Sequence, residues 1–169
     1  MNIREEILKE HSRRQTNKIV KFIGNDVKKF KKLMHLFFND EYRVVQRSAW
    51  VVNNCAEDHP ELIKPYLEKM IDYLQKLVHD AVRRNTVRIF QFIDIPEKLT
   101  GKVASVCFDL LQSKNEPVAV KVFSMTVLSK LCKKEPGLMN ELRLVIEAQF
   151  PYSTAGFKSR AKKVLKETK

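Results

Sequence analysis

Glycine and proline are scarce in this chain of 169 residues, at four and six, and it has three cysteines and a single tryptophan. So few turn formers exclude a fold of many short strands, which needs such residues at each reversal. The cysteines, Cys55, Cys107 and Cys132, are odd in number, far apart and set in apolar segments, which fits reduced core thiols better than a disulfide framework or a zinc site. The histidines, His11, His35, His59 and His79, stand 20 or more residues apart, so no His-x-x-x-His pair forms and no Cys-x-x-Cys joins them. No metal site is expected. Gly24, Gly101, Gly137 and Gly156 are isolated, so there is no phosphate-cradling loop, and no cofactor is expected. Apolar runs stay well short of the roughly 18 residues that span a bilayer. The N-terminus opens polar as Met1-Asn2-Ile3-Arg4-Glu5-Glu6, unlike a signal peptide. The expectation is a cytoplasmic protein with no membrane partner.

What the chain does have is a period. Gln46, Arg83, Lys121 and Lys158 sit in equivalent tripeptide settings at steps of 37, 38 and 37 residues. A spacing of that size belongs to stacked helix pairs. Punctuation at Gly24-Asn25, Asn39-Asp40, His59-Pro60, His79-Asp80, Ile95-Pro96, Asn115-Glu116-Pro117, Pro136-Gly137 and Pro151-Tyr152-Ser153 leaves segments of three to five helical turns. The chain therefore reads as one all-α domain over 1–169, a short α-α superhelix. Its expected parts are an N-terminal cap of one or two helices over 1–24 and four repeats at about 25–58, 59–95, 96–135 and 136–169. In the second pair, Leu62, Ile63, Tyr66, Leu67, Met70, Ile71, Leu74 and Leu77 fall on one face of the first helix. Its counterparts begin near Val27, Leu99 and Leu138.

The second helix of each pair carries two stripes. One runs Val45, Ala49, Val52, Ala56; then Val82, Thr86, Ile89, Ile93; then Val120, Ser124, Val127, Leu131; then Phe157, Ala161, Val164, Thr168. This is the expected buried seam. Two positions on, about 200° round the helix, runs a mixed stripe. It reads Arg43, Arg47, Trp50, Asn54; Asp80, Arg84, Val87, Gln91; Val118, Val122, Met125, Ser129; and Ala155, Ser159, Lys162, Lys166. In a helical solenoid the second helices line the concave side, so this stripe is the expected working surface.

The starts of the second helices, as in Asp80-Ala81-Val82-Arg83-Arg84 and Glu116-Pro117-Val118-Ala119-Val120-Lys121, resemble HEAT repeats, and the resemblance covers about 25–169. It implies a scaffold or a cradle for a protein or nucleic-acid partner, and no chemistry by itself. A weaker similarity, to the HEAT-like DNA glycosylases that excise alkylated bases, rests on Ala81-Val82-Arg83-Arg84 to Gln91 and on Ser48-Ala49-Trp50 with Asn54. Where that branch needs a carboxylate to stabilise positive charge at the sugar, this chain has the neutral amide of Asn54. The similarity implies nucleic-acid binding related to DNA repair, without excision.

Lysines and arginines outnumber acids 10 to 4 over residues 1–39 and 11 to 4 over 117–169, whereas 40–116 is nearly neutral; the whole carries +12. Basic ends suit an anionic partner gripped by its backbone. The same residues are also what a solvated amphipathic helix presents, and both readings stand at this point. Trp50 is either a platform flanked by Arg43, Arg47 and Asn54 or a ring packed on a neighbouring helix. The chain is thus read as a non-enzymatic binding module for an anionic nucleic acid or a protein. The expected contact residues are Arg43, Arg47, Trp50, Asn54, Arg83, Arg84, Gln91, Lys121, Lys158 and Lys162. A further reading has another protein dock on the apolar row Val118, Val122 and Met125.

Overall fold

The first three helices start where a polar side chain satisfies free backbone amides. Asn2 accepts from the amides of Arg4 and Glu5 ahead of α1 (Ile3–Lys9), Ser12 from Gln15 ahead of α2 (Arg13–Ile23), and Asp26 from Lys28 and Lys29 ahead of α3 (Val27–Asn39). Gly24 closes α2 at φ 51°, a conformation that a side chain would strain. There follow α4 (Tyr42–Asp58), α5 (Pro60–Ile63), α6 (Leu67–Leu74), α7 (Asp80–Phe90), α8 (Glu97–Gln112), α9 (Val118–Cys132), α10 (Leu138–Gln149) and α11 (Ala155–Glu167). This computed structural model describes residues 1–76 and 78–167, and among them there is no strand. The protein is an all-α helical repeat structure.

The long first helix expected in the second pair is broken. A 3-10 turn at Lys64–Tyr66 separates α5 from α6. Pro65 offers no N–H to the carbonyl of Glu61 and its ring crowds that carbonyl, so α-helical bonding lapses there. The apolar face survives the break: Leu62, Ile63, Leu67, Met70, Ile71 and Leu74 are buried. Leu77 lies outside the described residues.

The chain forms two compact units, Met1–Ile89 and Phe90–Lys169. In the first, α1 packs on α2, α3 and α4, and α4 also receives α2, α3 and α5. Edge-on rings tie α3 to α6, with Phe37 and Phe38 against Tyr73 at 5.8 and 5.3 Å. In the second, α9 is the centre and packs on α8, α10 and α11.

Each unit buries its share of the seam. Val45, Ala49, Val52 and Ala56, their counterparts from Val82 to Ile93 and from Val120 to Leu131, and Phe157, Ala161 and Val164 are all buried. Thr168 lies outside the described residues. Each large apolar side chain buried this way stabilises the fold by about 1.5–3 kcal/mol relative to exposure. Cys55, Cys107 and Cys132 are free and buried, and burial pushes Cys55 and Cys107 up to about 12.

Candidate partner-binding face

In the first unit, the side of α4 away from the seam carries Arg43, Arg47, Trp50 and Asn54, and they have separate duties. Arg43 is exposed and makes no side-chain hydrogen bond or ion pair among the described residues. Arg47 turns to the end of α1, where its Nη1 donates to the carbonyls of Ile7 at 3.1 Å and Leu8 at 2.9 Å. A guanidinium there satisfies orphan carbonyls and the negative end of the helix dipole. The Asn54 amide donates to the Trp50 carbonyl at 2.7 Å, one turn back on its own helix.

Trp50 is half-buried and meets His11, in the α1–α2 linker, edge-on at 5.4 Å. Burial lowers the pKa of His11, and the positive charges of Arg47 and Arg84 lower it further. That dependence places Arg84 of α7 in the same neighbourhood. Arg84 itself is exposed and, like Arg43, makes no side-chain hydrogen bond or ion pair among the described residues.

Arg83 serves the start of its own helix, with Nη2 donating to the Val78 carbonyl and to Asp80 Oδ1, each at 3.1 Å. His79 Nδ1 accepts from the Ala81 amide at 2.9 Å and its ring lies 4.5 Å from Tyr42. On α7 the outward side runs Asp80, Arg84 and the half-buried Arg88 rather than Asp80, Arg84, Val87, because Val87 is fully buried. Arg88 reaches Glu57 of α4 at 3.4 Å, so this face joins α7 to α4.

In the second unit the mixed stripe is a surface only in part. Val118 is exposed and Val122 half-buried, whereas Met125 and Ser129 are buried. The expected apolar docking row is therefore interrupted. The cause is α9 itself, apolar almost all the way round and covered by α8, α10 and α11. Lys121 donates to Gln149 Oε1 at 3.0 Å, and Gln149 donates on to the Leu111 carbonyl at 3.0 Å, tying α9, α10 and α8 together. Lys158 donates to the Pro151 carbonyl at 3.3 Å. Gln91 is half-buried just past α7, and Lys162 is exposed on α11.

Of the expected contact residues, the first unit thus brings Arg43, Trp50 and Arg84 to an open face. His11 and Arg88 join them and were absent from the sequence expectation. Arg88 could have been found from an i, i+4 step after Arg84, the step that continues a helix face. His11 sits outside the repeat period and had no such signal. No described helix is long and apolar enough to cross a membrane.

A family model described as a HEAT repeat domain matches residues 3–168. No curated protein matches the chain.

Proposed function

Since the chain belongs to the HEAT repeat domain family, a class of helical repeat scaffolds and binding modules, we propose that it is a non-enzymatic module for an acidic protein segment. The segment lies on the second-helix face of α4 and α7, the concave working side. The observation that carries this reading is Arg43 and Arg84, exposed and unpaired among the described residues, around a half-buried Trp50. Arginine forks suit carboxylates, and a tryptophan edge gives an apolar anchor between them. Arg13 and Arg14 on α2 and Lys162 and Lys166 on α11 are exposed and add long-range attraction.

A nucleic acid is the second reading, favoured by the same aromatic ring among guanidinium groups. Excision of a base gains nothing from the geometry, since Asn54 presents a neutral amide already bonded to the Trp50 carbonyl. The family match is to HEAT repeats as such and lends no weight to the glycosylase branch.

Trp50 is the only tryptophan, so its emission reports on the face directly. Titration with a glutamate-rich peptide should change that emission. Arg43→Glu with Arg84→Glu should weaken binding by about tenfold or more, the size of effect expected when a close charge pair across an interface is removed. Peptide binding indifferent to the double variant would reject this face. Salt-dependent binding of DNA or RNA with no peptide binding would put the second reading in its place.

A further inference from the structure

The second unit holds a small basic cavity between α9 and α11, outside the face described above. Its volume is about 170 Å³ and its walls include Lys130, Lys133, Arg160 and Lys163 together with the hydroxyls of Thr126 and Ser129. One carboxylate, Glu167, also lines it. Four cations against one carboxylate leave a formal charge of +3.

Two of the four cations, Arg160 and Lys130, are held rather than merely adjacent. Arg160 Nη1 donates to Thr126 Oγ1, and that hydroxyl donates in turn to the Val122 carbonyl at 3.0 Å, so the guanidinium is oriented by α9. Its remaining N–H groups have no partner among the described residues. Lys130 donates to the Ile93 carbonyl, while the ammonium groups of Lys133 and Lys163 make no hydrogen bond or ion pair among the described residues. Ser129 Oγ donates to Glu167 Oε2 at 3.3 Å, a long bond that draws the one carboxylate toward the wall.

A larger cavity in the first unit makes the contrast. It measures about 620 Å³ and is lined by Arg4, Lys29, Lys32 and His35. There Arg4 is paired with Asp40 and Glu41, and Lys29 with Asp26. Its positive field is largely cancelled, whereas that of the smaller cavity is not.

We propose that the α9–α11 cavity is an oxyanion site for a phosphate dianion, either free phosphate or the head of a small phosphomonoester. An oriented guanidinium supplies a planar fork, the lysines supply point charges, and a tetrahedral oxyanion has acceptors for all of them. The volume is several times the roughly 30 Å³ of one water, enough for a phosphate group and a few ester atoms and too little for a long chain. The second ionisation of a phosphate ester, near pH ~6, makes the dianion the dominant form at neutral pH.

The test is an amide NMR titration of the whole chain at fixed ionic strength with inorganic phosphate, glycerol 3-phosphate and, as a control, chloride. The expected result is saturable one-to-one binding with shifts centred on Thr126, Ser129, Arg160 and Lys163. Arg160→Ala should weaken it about tenfold and Arg160→Lys less, since the lysine keeps charge but not the fork. Glu167→Gln should tighten it severalfold, and lowering the pH from about 7.5 to about 5 should weaken phosphate binding as the dianion is protonated. Saturation by glycerol 3-phosphate alone would assign an ester, and saturation by both would assign the phosphate group itself. Non-saturating shifts spread evenly over Lys162, Lys166 and the lysines of α3 would overturn the site. So would unchanged affinity in a folded Arg160→Ala and in Glu167→Gln.

Discussion

In Met1–Ile89 four of the ten cations over residues 1–39 find carboxylates, while Arg13, Arg14, Lys21, Lys28, Lys31 and Lys32 make no ion pair among the described residues. Lys9 and Lys18 converge on Glu6, Arg4 holds Asp40 and Glu41, and Lys29 lies near Asp26. In Phe90–Lys169, Lys134 pairs with Asp94 and Arg143 with Glu147, but Lys133, Arg160, Lys162, Lys163 and Lys166 make no ion pair among the described residues. Basic ends that look alike in composition therefore differ in how many of their cations are paired, four of ten over residues 1–39 against two of ten over 117–167. A paired cation has its field cancelled within a few ångströms and serves packing, whereas an unpaired one projects its field to a ligand. The distinction also works within the first unit, where Arg47 and Arg83 are engaged by carbonyls and Arg43 and Arg84 are not.

Breaking the paired side should give the largest change. Glu6 accepts from Lys18, Lys9 and Gln15, and those bonds lower its carboxyl to about 2. A carboxylate depressed on folding contributes stability above its ordinary pKa, and that stability is lost as pH falls through the folded value. Glu6→Gln should lower Tm by several degrees at neutral pH, and the two melting curves should converge as pH drops from 4.5 toward about 2. Thermal melts followed by circular dichroism check this, and parallel curves would mean that Glu6 does not act through its charge.

A smaller change of opposite sign should come from the unpaired side. Lys163→Glu places a carboxylate among Lys130, Lys133 and Arg160 and relieves repulsion. At low salt it should raise Tm by about 1–2 °C, an effect typical of exposed charge pairs. In about 0.5 M salt, where screening is nearly complete, the gain should vanish. A loss of Tm at low salt would show that these cations do not repel one another.

The smallest effect belongs to His11. Its pKa is lowered by burial first and by Arg47 and Arg84 next, so the unfolded chain takes up the proton before the folded one. Stability present above the ordinary 6.5 is then lost as pH falls below it. Trp50 emission should change below pH 6.5 as the imidazole charges against the indole, and His11→Gln should abolish that change. The same titration in both proteins would place the titrating group elsewhere.

The seam was legible in the sequence because burial imposes the same residue class at each turn, and Val45, Ala49, Val52 and Ala56 announce it locally. The break at Pro65 was legible in principle, since proline removes a bond whatever its surroundings. What could not be read were commitments made across the chain. Arg47 caps α1 some 39–40 residues away, and Lys121 reaches a glutamine 28 residues on. Nothing local to either residue states where its side chain turns. Met125 and Ser129 escaped for a related reason: helices pack on α9 from several sides, so a stripe two positions from the seam is buried by a different neighbour.

The most direct test is a backbone and arginine side-chain NMR titration with a glutamate-rich peptide at low and moderate salt. Saturable shifts are expected at Arg43, Trp50 and Arg84 and should weaken with salt, while Arg4, Lys9 and Lys18 stay still because their carboxylates already hold them. Equal shifts at the paired and the unpaired cations would contradict this expectation.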